Sequence, residues 1–330
     1  MTQDKLAFVF DRRAMLKGAM AAVACSATSS LGIKYAAAAE PPLKLGTFSV
    51  AIDYAPYLIA KAKGSFEAIQ AGAKPEYTTF QSLPPINESL ATDRIDAVFE
   101  AEPPALIACA AGIDVKIVGI SCSLVQEILV QKNSKATTAA DLKGAKIAVL
   151  AGTSSHYGLI KILGNAGLKP NDVHIIDMIP PDAKGAFETG QVDAWAVWPP
   201  FVEQEEITGI GRVLPKGDAL INSIMAVRGT FAAKQPDKVK AMVAVINNTK
   251  AWMIQNPADA KAVVAKELAI PLEVVERAWP RHDWGATLND AVIADMQSKA
   301  NFLYEMKYVS TRVDVAKQAV DLSYLDKIRR

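Results

Sequence analysis

Beginning at Leu43, short β-rich apolar runs alternate with segments of helical periodicity, and this alternation narrows the fold class more than anything else in the chain. Leu43 to Val50 reads as a strand. Ala55 to Ala68 reads as a helix with Leu58, Ile59, Ala62 and Phe66 along one face. Pro75 to Phe80, Asp96 to Phe99 and Val115 to Ile120 follow as β-rich runs. Between them lie the helical stretches Pro84 to Asp93 and Pro103 to Ala111, the second closed by Gly112. The pattern then starts again. Glu127 to Gln131, Lys146 to Leu150, Val173 to Ile179, Asp193 to Val197 and Arg212 to Leu214 read as extended, with helices between, among them Ser154 to Asn165. Ile221 to Val227 is a further extended run, and from Phe231 onward the periodicity is helical. Strands alternating with helices predict βα units and mainly parallel sheet. The restart predicts two such blocks. With no low-complexity linker between them, ordered strands are expected to cross from one to the other.

Composition agrees with a large globular protein. In 330 residues, 51% are hydrophobic and 22% charged, which excludes disorder and a disulfide-scaffold miniprotein. The formal charge of +1 gives no basic excess for nucleic acid. No charge-free apolar run long enough to span a bilayer follows the first forty residues, so contact with a membrane is expected only through a partner.

The first 39 residues read as an address. Asp11-Arg12-Arg13-Ala14-Met15-Leu16-Lys17 resembles a bacterial twin-arginine export signal, with Asp11 and Met15 standing where Ser or Thr and Phe are usual. A weakly apolar stretch from Gly18 to Ile33 follows, then Ala36-Ala37-Ala38-Ala39-Glu40, which offers a cleavage site. The alternatives are an exposed basic helix start, or a lipoprotein signal at Ala22-Val23-Ala24-Cys25 with a lipid on Cys25. Cleavage before Glu40 leaves 31 basic and 33 acidic residues and the two cysteines Cys109 and Cys122, expected as buried free thiols.

Enzyme templates fail. There is no GxSxG, HExxH, Walker A or strand-linked GxGxxG pattern. His156, His174 and His282 have no metal-ligand spacing, His174 falling in a strand pattern and His282 in a turn between helices, so neither metal nor cofactor is expected. The informative segment is Leu150-Ala151-Gly152-Thr153-Ser154-Ser155-His156-Tyr157. A buried strand ends, Gly152 makes a turn, and a helix begins. The first N–H groups of that helix have no internal partner and carry partial positive charge, with three hydroxyls beside them. This arrangement can bind an oxyanion; one hydroxyl is explained by capping alone. In Asp193-Ala194-Trp195-Ala196-Val197-Trp198-Pro199-Pro200, Trp195 falls in the core and Trp198 at the C-terminal end of a strand, where open α/β sheets bind ligands.

These segments resemble the periplasmic substrate-binding proteins of ABC transporters, in the aliphatic sulfonate, nitrate and taurine branch. Ile95-Asp96-Ala97, Ala110-Ala111-Gly112, Ala140-Asp141-Leu142-Lys143-Gly144 and Val320-Asp321-Leu322-Ser323-Tyr324-Leu325 match as well, so the likeness covers about residues 43–325. It implies a two-lobed type II periplasmic-binding-protein fold. Lobe 1 is 40–126, completed by 223–330, and lobe 2 is 127–222, with hinge crossings near 123–131 and 221–228. By position it implies ligand contacts from Asp53, Tyr54, Gln81, Ser82, Glu102, Ser121, Ser123, Thr153, Ser154, Ser155, His156 and Trp198. The chain departs from the family at Arg94, where Gly is usual, and at Glu100 and Glu102, where small residues are usual. A carboxylate in an anion site is unfavourable unless the ligand brings a cation. Glu100 is therefore expected to face solvent or a lysine.

The reading that follows is an exported, monomeric, non-catalytic solute-binding protein. It takes a small organic anion, with taurine or an alkanesulfonate foremost, and delivers it to an ABC transporter permease. Nitrate, bicarbonate, an aromatic acid or a pyrimidine vitamin precursor are the alternative ligands. The rival class is a decarboxylase or lyase on the same fold, for which His156 and Glu102 would be the acid–base pair.

Overall fold

The structure is a computed structural model and describes residues 40–325 apart from Ser49, Ala71, Gly72 and Lys216; the export signal and its cleavage site lie outside the described residues. The first block runs β1 (Lys44–Phe48), α1 (Ala55–Ala62), β2 (Glu76–Phe80), α2 (Leu83–Ala91), β3 (Ala97–Ala101), α3 (Glu102–Ala110) and β4 (Val115–Val125). The second runs β5 (Glu127–Gln131), β6 (Lys146–Val149), α4 (Ser154–Asn165), β7 (His174–Asp177), α5 (Pro180–Glu188), β8 (Ala194–Val197), α6 (Phe201–Thr208) and β9 (Gly211–Val213). The chain returns through β10 (Leu220–Arg228) into α7 (Gly229–Lys234), α8 (Pro236–Gln255), α9 (Pro257–Leu268), α10 (Leu272–Ala278), β11 (His282–Asp283) and α11 (Asp290–Glu305).

Two sheets result, ordered β11-β4-β10-β3-β1-β2 and β7-β6-β8-β5-β9. In each, three strands are parallel: β2-β1-β3 in the first and β7-β6-β8 in the second. The remaining strands are antiparallel to their neighbours, because the chain must run out of one sheet and back into it. The sheets are thus mixed where the alternation alone predicts mainly parallel pairing. Central strands are mostly apolar because helices cover both faces, and β3 and β8 are buried at every position, Glu100 of β3 included. The edge strand β2, Glu-Tyr-Thr-Thr-Phe, is half exposed and carries polar residues instead.

The two crossings lie side by side. β4 and β10 pair antiparallel from Val115↔Arg228 to Val125↔Leu220, and the Gln126 N–H donates to Ala219 C=O at 2.9 Å where the strands leave the first sheet. The strand read over Val115 to Ile120 runs on to Val125, which places Cys122 inside β4. Cys122 is buried and Cys109 only half-buried, and both are free thiols. His282 is not in a turn. It opens β11, which pairs with β4 and so adds the C-terminal region to the first sheet.

Candidate functional site

Two helices start at the C-terminal ends of parallel strands and face each other where the lobes meet: α3 after β3, and α4 after β6. Pro103 and Ile107 of α3 line a tight apolar crevice with Gly152, Thr153, His156 and Tyr157 of the α4 start and with Phe302, Leu303 and Tyr308.

The α4 start is built locally. Gly152 turns the chain at φ +76°, a conformation that favours glycine. Thr153 is the N-cap: its hydroxyl accepts from His156 N–H at 3.4 Å and donates to Leu150 C=O at 2.7 Å. His156 closes the turn by accepting from Gly152 N–H on Nδ1 at 3.1 Å. The proton of the neutral ring therefore sits on Nε2, 3.0 Å from the Tyr308 hydroxyl. Burial lowers the His156 pKa and keeps the ring neutral. Capping thus accounts for Thr153 and His156. It does not account for Ser155, which is fully buried and whose Oγ has no hydrogen-bond partner. Beside that hydroxyl stand the N–H groups of Ser154 and Ser155, the first two of the helix, which no intrahelical carbonyl can reach.

The α3 start is the opposite. Its first turn is Glu102-Pro103-Pro104, an acid followed by two residues without N–H. The Glu102 carboxylate accepts from Asn222 N–H at 2.5 Å and Asn222 Nδ2 at 3.2 Å, and forms an ion pair with Lys299. Burial opposes the charge on Lys299, but the Glu102 carboxylate, with Asp295 2.6 Å away, overrides it and lifts the ammonium pKa. Asn222 accepts from Ser123 Oγ at 2.5 Å, and the two residues lie opposite each other on the crossing strands. Glu102 and Ser123 therefore belong to one buried network, joined through Asn222 where the two crossing strands pair. His156 and Glu102 have different hydrogen-bond partners, Tyr308 for the first and Lys299 and Asn222 for the second.

Glu100 corrects the sequence reading. It neither reaches solvent nor pairs with a lysine: the residue is 1% exposed and neither carboxyl oxygen has a partner. Its place inside β3, a strand covered on both faces, is the reason, and burial pushes its pKa up to about 8.

The other predicted residues fall into three places. Asp53 is buried, with Oδ1 3.0 Å from His282 Nε2 and Oδ2 accepting from Ser223 Oγ at 3.4 Å. Tyr54 is buried beside it, its phenol pKa raised first by burial and then by the Asp53 charge. Trp198 is 4% exposed and spans the lobes: its indole N–H donates to Val50 C=O at 3.0 Å, and its ring packs on Phe48 and Phe201. The structure so brings Trp198 against the loop that carries Asp53 and Tyr54. Ser121 is fully buried in β4 with an unpartnered hydroxyl. Gln81 is exposed and Ser82 half-buried just past β2, whose last residue Phe80 lies in register with Phe48 of β1. Sequence reasoning missed Asn222, Ser223, Lys299 and Tyr308. Each meets its partner across more than a hundred residues of chain, and no local pattern marks them.

The sequence profile of the NMT1-like family matches residues 36–269. The chain belongs to the NMT1-like family. This NMT1-like chain is 32% identical over 280 residues to a Bacillus subtilis (strain 168) protein that carries the provisional name aliphatic sulfonates-binding protein, covering 82% of this chain and 84% of that one. It also superimposes on the alkanesulfonate-binding protein SsuA of Xanthomonas axonopodis pv. citri bound to MOPS, with a TM-score of 0.77, 29% identity, and coverage of 87% of this chain and 100% of that one. These matches show the two-lobed periplasmic-binding-protein fold. A desulfurization enzyme, DszB, shares that fold at 17% identity and a TM-score of 0.65, covering 85% of this chain and 97% of that one.

Proposed function

We propose that the chain is the exported solute-binding component of an ABC uptake transporter and captures a small organic sulfonate between its lobes. The observation that carries this reading is the orphaned Ser155 hydroxyl beside the free N–H groups at the α4 start. A sulfonate is a monoanion with three acceptor oxygens, and it suits a site made of neutral donors and a helix N-terminus. The nearby buried cations are committed: Lys299 to Glu102 and Asp295, and Lys250 to the carbonyls of Ile120 and Ala286. The ligand's carbon chain packs on Trp198 and its aromatic neighbours Phe48 and Phe201.

In this reading Ser154, Ser155 and Ser121 supply donors to the acid group, Tyr54 and Trp198 line the remainder, and Thr153 and His156 hold the helix start in shape. Glu102 and Ser123 act on the hinge. The protein works in the periplasm as a monomer after cleavage near Glu40, hands its cargo to a membrane permease, and turns nothing over.

A thermal-shift panel of short alkanesulfonates, taurine, nitrate and aromatic carboxylates, with mass spectrometry of the solute released from freshly purified protein, tests the reading. Stabilisation by sulfonates, with a sulfonate recovered intact, is expected. Binding of none of the sulfonates, or recovery of a chemically altered ligand, would overturn it.

A further inference from the structure

A six-residue stretch, Trp279 to Trp284, ties the two lobes together. Its second half belongs to the first lobe. His282 and Asp283 pair with Leu124 and Ser123 of β4, and the His282 ring stacks on Trp284 at 4.7 Å, which in turn packs on Trp279 at 4.6 Å. His282 Nε2 meets Asp53 at 3.0 Å and Nδ1 faces Ala278 C=O at 2.9 Å, so the stretch is anchored to the loop that receives Trp198. One residue earlier, Arg281 reaches into the second lobe. Its guanidinium lies 2.6 Å from Glu206 Oε2 and 3.3 Å from Glu203 Oε1, and it also pairs with Glu127. Arg277 adds a contact to Glu206 at 3.3 Å. Glu127 opens β5, and Glu203 and Glu206 lie on α6, the helix that begins directly after Trp198-Pro199-Pro200.

We infer that Arg281 is an interlobe latch. It holds α6 against the first lobe and biases the protein toward closure before a ligand arrives. Three features separate this cluster from an ordinary surface pair. The Glu203 side chain is fully buried and that of Arg281 only 19% exposed, so solvent screens the contact little. The planar guanidinium engages several carboxylates at once, which fixes an orientation that a point charge would not. And α6 follows β8 of the second sheet while β11 fixes Arg281 to the first, so rotation about the crossings at Gln126 and Ala219 shifts one against the other. A ligand that binds only the closed form then sees an affinity scaled by the closed fraction, which the latch raises.

Scattering from the processed, ligand-free protein tests this without knowing the ligand, so its failure is distinct from failure of the sulfonate reading. Arg281→Gln and the double variant Glu203→Gln, Glu206→Gln are each expected to enlarge the radius of gyration relative to ligand-free wild type. The closed-to-open ratio should fall by about tenfold or more, the worth of one charge-assisted hydrogen bond. The double variant leaves Arg281 paired with Glu127, so it carries the test if Arg281→Gln unfolds. A radius unchanged in the folded double variant would overturn the latch, as would expansion confined to Arg281→Gln.

Discussion

The starts of α3 and α4 are topological twins with opposite chemistry. Both follow a buried parallel strand and both point at the cleft, yet one offers Ser154 and Ser155 with free N–H groups and the other offers Glu102-Pro103-Pro104. A helix N-terminus is an anion site only if its donors are present and unspent. Prolines remove them at α3, and Glu102 turns that end toward Lys299. The fold provides two helix starts of the same kind; side chains leave donors unspent at one and engage the other with Lys299 and Asn222.

Breaking the α3 side is expected to cost most. Lys299→Met leaves Glu102, fully buried, without its main counter-charge. Loss of about 3–5 kcal/mol of stability is expected, as for removal of one partner of a buried pair, read as a lower urea midpoint. Ligand affinity of the folded fraction should change much less, and an equal collapse of affinity would merge the two sites that are here kept apart.

Glu100, at the end of the strand leading into α3, gives a pH signature. Its folded pKa of about 8 lies above the unfolded carboxyl value, so between roughly pH 4.5 and 8 the native state holds a proton that the unfolded state has lost. Its contribution is complete below about pH 4.5 and falls by about 1.4 kcal/mol per pH unit up to pH 8. Glu100→Gln should abolish that slope and leave the variant more stable than wild type at pH 8 by about 4 kcal/mol. Urea titrations at pH 5, 6.5 and 8 read it; parallel pH profiles of wild type and variant would contradict it.

The α4 side responds in affinity instead. Ser155→Ala removes an unpartnered buried hydroxyl, so stability should hold or rise slightly. Sulfonate binding should weaken by about ten- to a hundredfold, the worth of one hydrogen bond to a charged group. Calorimetric titration beside a thermal melt separates the two effects. Thr153→Ala is the smallest change: loss of the cap costs about 1 kcal/mol of stability and acts on binding only by loosening the helix start.

What could be read in the chain follows from distance along it. The strand–Gly152–helix junction is written in eight consecutive residues, and the alternation that sets the two sheets is local as well. Trp198 was legible as a strand-end residue, but not as a bridge to Val50, 148 residues away. The buried network joins Glu102 to Asn222 across 120 residues and to Lys299 across 197, and His282 reaches Asp53 across 229. No periodicity carries such pairings. Glu100 was misjudged for another reason. A charged residue invites a solvent reading, whereas its flanks, Ala97-Val98-Phe99 and Ala101, belong to a strand buried on both faces, and position prevailed over residue type.

The central claim, that the sulfonate group sits on the α4 start, is tested most directly by following backbone amide resonances while titrating pentanesulfonate. The account predicts that the Ser154 and Ser155 amides shift downfield more than any others as they gain an anionic acceptor, with the amides of α3 nearly still. Saturable binding that leaves Ser154 and Ser155 unmoved would contradict it.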